Sequence, residues 1–367
     1  CGDRMMPQHH DDAVNAALDI VRAWIEQNPK AERVLLVDDL IGRLNLVVWP
    51  GRTARSDASL KRLQKAMGGL GKFFSGMIQT AQAGEAPWEA LWTEASPDQL
   101  AEADGLRILV RVGDHLHWFG RPEAPRPRGG RSRVVTFLSF KGGVGRTTAL
   151  ASFALQRARA GEHVVVVDLD LDAPGVGTLL AGDPPVTHAP FGVVDFMLDV
   201  HWADDLDIHD YLHRCARPPL TDRGRLQVMP AGTLDARYLS KLARADLDAS
   251  LDSSIPHRLK LLLDHLEALL PDWILLDARA GLSTTGGLLL NGLADLYVLV
   301  ATAGAQSFFG LERFVHQLGA RRRQATPPEV QSECVVLHTM IPGNAEVAER
   351  AQARFESEVE DIFRAHY

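Results

Sequence analysis

The chain has 367 residues, of which 46% are hydrophobic and 23% are charged, and its formal net charge is −8. This composition is typical of a folded protein, and the length suggests about two domains with sizeable cores. The negative charge argues against a generally basic nucleic-acid-binding protein, although it leaves local basic patches open.

Cysteine content and hydropathy indicate the compartment. The three cysteines have no CxxC spacing, so the sequence encodes neither a disulfide framework nor a zinc ribbon. No uninterrupted apolar stretch approaches the roughly 20 residues of a membrane helix, and the start is too polar for a signal peptide. We therefore expect a cytoplasmic protein without membrane contact. The first residue is not methionine, so we expect a processed chain or a piece of a longer one.

The first 120 residues predict a small α+β module. Apolar spacing predicts helices and short apolar runs predict strands, in the order helix 12–27, strands 33–39 and 44–50, helices 60–80 and 88–103, and a hairpin over 106–120 that turns at Gly113-Asp114. The tryptophans Trp88, Trp92 and Trp118 would form either a partner surface or core, and the helical spacing of the first two favours core. No motif here indicates a chemistry, and we expect this module to contact a protein partner.

A linker and a second domain follow. Residues 121–133 are rich in proline, glycine and arginine, which predicts an interdomain linker. From residue 134 short apolar runs alternate with helical patterns, and several runs are apolar throughout, as in strands buried on both faces of a parallel sheet. Predicted strands are 134–140, 163–170, 226–231, 272–278, 295–302 and 334–340; predicted helices are 147–160, 255–270 and 309–322; helix-rich insertions are 194–215 and 238–251. This order predicts an α/β fold with a doubly wound, mostly parallel sheet over 134–367.

The stretch "SFKGGVGRTT", residues 139–148, predicts a phosphate-binding loop. Its glycines allow a tight turn with inward N–H groups, and the following helix adds the positive end of its dipole. Compared with the pattern G-x-x-x-x-G-K-[ST], Phe140 replaces the first glycine and Arg146 replaces the lysine. Thr147 keeps the position of the hydroxyl that binds magnesium.

Acidic residues follow two of the predicted strands. Asp168, Asp170 and Asp172 end one apolar run, and Asp277 ends another in the Walker B arrangement. Buried acids at a strand end need water, a metal or hydrogen-bond donors, although a solvated cap or turn also explains the first group. Because the carboxyl ends of parallel strands meet at one edge, we expect these acids to face the glycine-rich loop.

The stretches "KGGVGRTT", "VVVVDLDLDAPG", "DWILLDARAG" and "DLYVLV" resemble the deviant-Walker ATPases of the ParA/MinD superfamily, and most closely its KGGVGR branch of bacterial regulatory and conflict-system proteins. The resemblance runs from about Val134 to the C-terminus. It implies a P-loop NTPase that binds ATP and Mg²⁺ in a nucleotide-sandwich homodimer. The superfamily also has an adenine-contacting segment near residues 337–344, with Asn344 as the residue we expect there, followed by more strand and helix, so the C-terminus could be shortened.

The resemblance also implies residue roles. Lys141 would reach the partner's phosphates, and Asp170 would orient the attacking water. The metal would be supported by Thr147, Asp168 and Asp277. The phosphates would be held by Gly142, Gly143, Val144, Gly145, Arg146, Thr147 and Thr148.

Arg146 shapes the expected activity. Its planar guanidinium suits bidentate phosphate binding, so we expect ATP to bind. The guanidinium is bulkier than lysine and cannot place its charge between the β- and γ-phosphates as a lysine does, so we expect slow hydrolysis. The leading interpretation is an ATP-dependent switch that dimerises and controls a partner or attached module in regulation, antiphage defence or partitioning. The alternatives are a nonenzymatic scaffold with a degenerate site and a phosphotransferase acting on another substrate.

Weaker signals remain open. Arg279 would approach the γ-phosphate or pair with a nearby acid. His209 and His213, with Cys215, have a zinc-compatible helical spacing but no clear further ligands, which favours surface histidines. The arginines at 321–323 would either bind DNA phosphates nonspecifically or form the solvated C-terminal end of a helix, and the second interpretation is favoured. Residues 281–292 would form either a mobile switch segment or a packed turn and helix start.

Overall fold

The chain forms two compact units, Cys1–Arg121 and Pro122–Tyr367. The computed structural model describes residues 7–28, 33–39, 42–49, 57–95, 105–110, 132–181, 191–200, 206–215, 224–247, 255–290, 292–324 and 333–367.

The first unit is an α+β module. Its described elements are α1 (His10–Gln27), β1 (Arg33–Asp38), β2 (Leu44–Trp49), α2 (Asp57–Gly68), β3 (Phe74–Thr80), α3 (Ala86–Glu94) and β4 (Leu106–Val110). The strands form a sheet in the order β3-β2-β1-β4, in which only the β1–β2 pair is antiparallel. Apolar residues of α1 and α2 form one core with the sheet, and Trp88 and Trp92 of α3 pack against a second cluster that contains Trp49. These two tryptophans are therefore partly buried against a core cluster, which agrees with the packing that their spacing favours.

One predicted helix of this unit is wrong in its second half. Residues 60–80 were expected to be helical, but α2 ends at Gly68 and residues 74–80 form β3, which pairs with β2. The helical spacing of Phe74, Met77 and Ile78 caused the misassignment. Gly71 has a φ of 60°, outside the helical region, and the edge of β2 offers hydrogen bonds to an extended chain. The predicted hairpin turn, Trp118 and the end of the predicted helix at 103 lie outside the described residues.

The second unit is an α/β domain with a seven-stranded, mostly parallel sheet. Its described strands are β5 (Arg133–Leu138), β6 (His163–Leu169), β7 (His213–Arg214), β8 (Arg225–Met229), β9 (Trp273–Ala278), β10 (Leu296–Ala301) and β11 (Glu333–His338). Its described helices are α4 (Arg146–Arg159), α5 (Val176–Ala181), α6 (Val193–Asp199), α7 (Tyr238–Leu247), α8 (Ile255–Glu267), α9 (Thr284–Leu289), α10 (Ala305–Gln324) and α11 (Ala345–His366). The sheet order is β11-β10-β5-β9-β6-β8-β7, and β7 alone among these strands runs antiparallel to its neighbour.

The central strands are buried because they are apolar on both faces. Residues 164–167 of β6 are four consecutive valines without exposed surface, which fits a strand covered on both sides. The described residues of the insertion, 194–200 and 206–215, contain less helix than predicted. They comprise most of α6, a 3₁₀ turn at Ile208–Tyr211 and the short strand β7, whose following residue Cys215 donates its N–H to Leu226 O at 2.8 Å. Within the described ranges, none of the helices has the length and apolar character needed to cross a bilayer.

Candidate functional site

The site begins with the turn between β5 and α4. Gly143 and Gly145 have φ values of 71° and 86°, a left-handed conformation that favours glycine at both positions. Gly145 is the N-cap of α4, so the free N–H groups of the first helical turn lie beside this loop. Lys141, Gly142 and Gly143 are exposed. The loop therefore has the backbone conformation and the accessibility that an anion site needs.

Three neighbouring segments hold this loop in place. Thr339, which follows β11, donates its hydroxyl to Val144 O at 2.8 Å. Gly281, which follows β9, donates its N–H to Ser139 O at 3.0 Å. Phe140 packs on α10, where a β-carbon at Gly310 would lie only 1.9 Å from the Phe140 Cβ. The sequence carries no signal for these contacts, because they depend on the order of the strands in the sheet.

The acids meet at the same edge of the sheet. Asp168 of β6 and Asp277 of β9 are directly paired in register, and each is 1% exposed. The Asp168 carboxylate accepts the N–H groups of Asp170 and Gly175 at 3.2 and 3.0 Å. Asp170 follows β6, is also buried, and accepts the N–H of Ala173 at 3.3 Å. Three buried carboxyl groups therefore lie next to the glycine-rich loop.

Arg146 connects the loop to two of these acids. Its Nε donates to Asp277 Oδ1 at 2.7 Å, and its Nη2 donates to Asp170 Oδ2 at 3.0 Å. The neighbouring Thr147 hydroxyl donates to the other oxygen of Asp277 at 2.7 Å. The guanidinium is 8% exposed, so these ion pairs are buried. The sequence predicts that Arg146 binds phosphate and takes part in catalysis; in the structure its guanidinium binds two of the acids.

Burial changes the ionisation of the paired acids. Loss of hydration and the nearby Asp277 charge raise the pKa of Asp168 to about 7, while its two backbone N–H donors act in the opposite direction. Burial also raises the pKa of Asp277 above its ordinary value, although Arg146 and Thr147 oppose this shift. Each carboxylate therefore gains from a nearby positive charge, which a bound cation or Arg146 can supply.

We expect the stability of the metal-free protein to fall as pH rises. The unfolded Asp168 carboxyl ionises near its ordinary pKa of 3.8, but the folded one retains its proton until about pH 7. This difference stabilises the fold fully below pH 3.8 and is lost as pH rises toward 7, by up to about 4 kcal/mol. Denaturation in EDTA between pH 4.5 and 8 measures it. Asp168→Asn should flatten the profile, whereas the control Asp172→Asn should not; an unchanged slope in Asp168→Asn contradicts the assignment.

The donor set fits a magnesium-bound phosphate compound. Thr147, Asp168 and Asp277 supply hard oxygen atoms, and the loop and helix start supply N–H groups for phosphate. In the described part of the chain, no group of three or more His, Cys, Asp or Glu side chains is arranged to hold a metal alone. Magnesium does not require such a group, because one or two carboxylates and the substrate phosphates usually complete its shell.

Arg279 and the proposed zinc ligands have structural partners. Arg279 forms an ion pair with Asp172, as the salt-bridge alternative predicts. His209 lies in the 3₁₀ turn and His213 lies on β7, so the predicted spacing on one helix is wrong. The Cys215 thiol donates to Leu180 O at 2.6 Å. These contacts remove the geometric argument for zinc.

The remaining weak signals also have local explanations. Arg321 donates to Leu290 O, while Arg322 and Arg323 contact the last two residues of the chain. Residues 281–292 contain α9 and begin with the Gly281 contact to the loop, which is the packed-turn alternative. Asn344 caps α11 by accepting the N–H of Val347 at 3.2 Å, so its side chain has a structural role.

Comparison with known proteins identifies the domain. Residues 135–270 match the family described as the CobQ/CobB/MinD/ParA nucleotide binding domain. The chain is 35% identical over 102 residues to the cytosolic Fe-S cluster assembly factor CFD1 of Chaetomium globosum, which covers 28% of each chain. It is 25% identical over 195 residues to the septum site-determining protein MinD of Escherichia coli K12, covering 53% of this chain and 62% of MinD.

A solved structure gives a weaker likeness. Cobyrinic acid a,c-diamide synthase from Mycobacterium smegmatis, with bound ATP analog and magnesium, is 23% identical with a TM-score of 0.46, and the match covers 62% of this chain and 82% of that one. The chain spans less than two thirds of the length of the two curated relatives named above. The matched region nevertheless contains the loop, β6 and Asp170. Residues 135–270 therefore match the CobQ/CobB/MinD/ParA nucleotide binding domain, and the chain contains a ParA/MinD-like P-loop nucleotide-binding domain.

Proposed function

We propose that the second unit is an ATP-dependent switch that binds ATP with Mg²⁺, hydrolyses it slowly and forms a homodimer in the ATP state. The observation that carries this proposal is the hydrogen-bonded cluster of the buried Arg146 and Asp277 with the partly buried Thr147, beside a glycine-rich loop with left-handed turns. Such a loop with a hydroxyl and a carboxylate beside it suits a metal-bound phosphate better than an uncharged ligand.

In this proposal the phosphates are bound by the loop and the start of α4. The backbone N–H groups at 142–148 hold phosphate oxygens, and Arg146 adds a bidentate charge-assisted contact. Thr147, Asp168 and Asp277 hold Mg²⁺ or its waters. The metal would neutralise charge on the phosphate oxygens during transfer.

Asp170 is our proposed residue for orienting the attacking water. It lies one residue beyond β6, is 9% exposed, and already shares Arg146 with Asp277. A carboxylate at this position accepts a hydrogen bond from water and holds it near the terminal phosphate. Hydrolysis is slow in this proposal because the guanidinium of Arg146 is bulkier than a lysine ammonium and cannot place its charge at the same point beside the phosphates.

The proposed partner at the nucleotide edge is a second copy of this chain. Lys141 is exposed at that edge and supplies a cation for the partner's phosphates. Large apolar side chains are exposed in segments that follow strands at the same edge, at Leu179, Leu234, Leu239, Leu282 and Phe309. Leu239 is 75% exposed, and a second subunit at this edge would bury it. We further propose that the first unit contacts the protein that the switch controls.

A nonenzymatic binder is the second proposal, because Arg146 already pairs with the two acids that hydrolysis would need. Measuring bound nucleotide and released phosphate separates the two functions. For the switch, we expect magnesium-dependent ATP binding, slow phosphate release, and a mass in size-exclusion chromatography with light scattering that doubles with ATP but not with ADP. Binding without phosphate release favours the scaffold. A mass that never responds to nucleotide contradicts the switch.

A further inference from the structure

Arg146 supplies positive charge at the place where a metal would bind. Its Nε and Nη2 donate to Asp277 and Asp170 at 2.7 and 3.0 Å, and the Thr147 hydroxyl donates to the second oxygen of Asp277. Both oxygens of Asp277 are therefore engaged by donors from the first two residues of α4. A metal that binds Asp277 has to displace at least one of them.

The buried acids make this positive charge necessary. Asp168, Asp170 and Asp277 all lie within the protein interior, and Asp168 faces Asp277 across adjacent strands. Carboxylates that lose their hydration need a compensating cation or a proton. Arg146 is the buried arginine that contacts two of them, whereas Arg279 forms its ion pair with Asp172 at the surface.

A divalent cation and this guanidinium compete for the same oxygens. Two positive charges a few ångströms apart in a buried site repel each other strongly. A triphosphate changes the balance, because its oxygens offer the arginine fork a bidentate partner and add negative charge to the site. A bound triphosphate would therefore draw Arg146 from the acids to the phosphates and leave the carboxylates to the metal.

We propose that Arg146 is a tethered counter-ion that excludes divalent cations from the nucleotide-free site, so that metal and triphosphate enter together. This inference rests on the proposed function, since the triphosphate is what draws the arginine away. It deepens that proposal by giving the site an order of loading. Magnesium without nucleotide would therefore leave the metal site empty at cellular Mg²⁺ concentrations.

Binding of Mn²⁺ alone to the nucleotide-free full chain tests this order. Loss of the free Mn²⁺ signal in electron paramagnetic resonance reports binding without any need for activity. We expect Arg146→Met to bind Mn²⁺ roughly 10- to 100-fold more tightly than the wild type, because it removes one nearby positive charge and keeps an unbranched apolar stem. Arg279→Met is the matched control, since it removes an equal charge at the same sheet edge, and it should leave Mn²⁺ affinity unchanged.

Two outcomes overturn the proposal: wild-type Mn²⁺ binding as tight as that of Arg146→Met, or an equal gain in Arg279→Met. If Arg146→Met fails to fold, Arg146→Lys replaces it in the test. The lysine side chain is shorter than that of arginine and has no fork, so it cannot bridge both acids and should give an intermediate gain in Mn²⁺ affinity. No gain in Mn²⁺ affinity overturns the proposal. Adding ATP should bring Mn²⁺ onto the wild-type protein, measured as metal that co-elutes with the protein, because ATP also chelates free Mn²⁺ in solution. If ATP itself does not bind, the proposed function fails, while the gain in Arg146→Met still reports on the counter-ion.

Discussion

Asp277→Asn is expected to lower the rate of ATP hydrolysis by about 100- to 1000-fold, the range found when one charged or hydrogen-bonding group is lost from a site of transition-state stabilisation. The substitution keeps the size of the side chain but removes the charge that Arg146 and Thr147 contact. It also removes a proposed magnesium support. The tighter ATP binding that Mg²⁺ gives the wild type should therefore disappear.

Single-turnover release of labelled phosphate, together with ATP titrations in Mg²⁺ and in EDTA, measures both effects. Asp172→Asn is the control, because it removes an acid from the same region that pairs with Arg279 at the surface. A hydrolysis rate in Asp277→Asn within about threefold of the wild type would exclude this carboxylate from the reaction, since that ratio corresponds to less than about 1 kcal/mol.

Lys141→Ala should separate nucleotide binding from dimerisation. Lys141 is exposed on the loop, and its proposed partner is a phosphate in the other subunit. Removing it should leave ATP affinity of the monomer within about threefold, yet weaken the ATP-dependent dimer about 100-fold, as expected for loss of a charge pair at an interface. Light scattering across a protein concentration series measures the dimer, and a fluorescent ATP analogue measures binding.

Lys260→Ala is a suitable control for this experiment. Lys260 is exposed on α8, away from the glycine-rich loop, and its removal makes the same change in net charge. It should leave the dimer unchanged. A dimer of Lys141→Ala with wild-type affinity would show that the lysine does not act across an interface, even if ATP binding itself is intact.

The positions of most strands along the chain, and of the acids that follow them, could be predicted because these signals are local. Apolar runs such as 164–167 specify buried strands, and the rule that parallel strands end at one edge brings Asp168 and Asp277 together. The strand β3 was misassigned because Phe74, Met77 and Ile78 also fit a helical period. Hydrogen bonding to β2 decided its conformation, and that partner is distant in sequence.

The direction of the Arg146 side chain was beyond sequence reasoning. Its position in the sequence places Arg146 at the end of the glycine-rich loop, but its hydrogen-bond partners depend on which charged groups lie nearest in three dimensions. The same limit applies to Thr339, which reaches Val144 from a segment 195 residues away. Such contacts depend on strand order and rotamer together, and neither residue carries a sequence signal for its partner.

The contact between Phe140 and Gly310 has a mechanical consequence. Because closely packed atoms resist compression, the first turn of the loop cannot shift toward α10 unless that helix shifts with it. The 20-residue helix α10 carries Arg323 in its last turn, and Arg323 donates to His366 O at the end of α11. A backbone rearrangement around a bound phosphate group would thus be transmitted along α10 to its last turn and, through Arg323, to the end of α11.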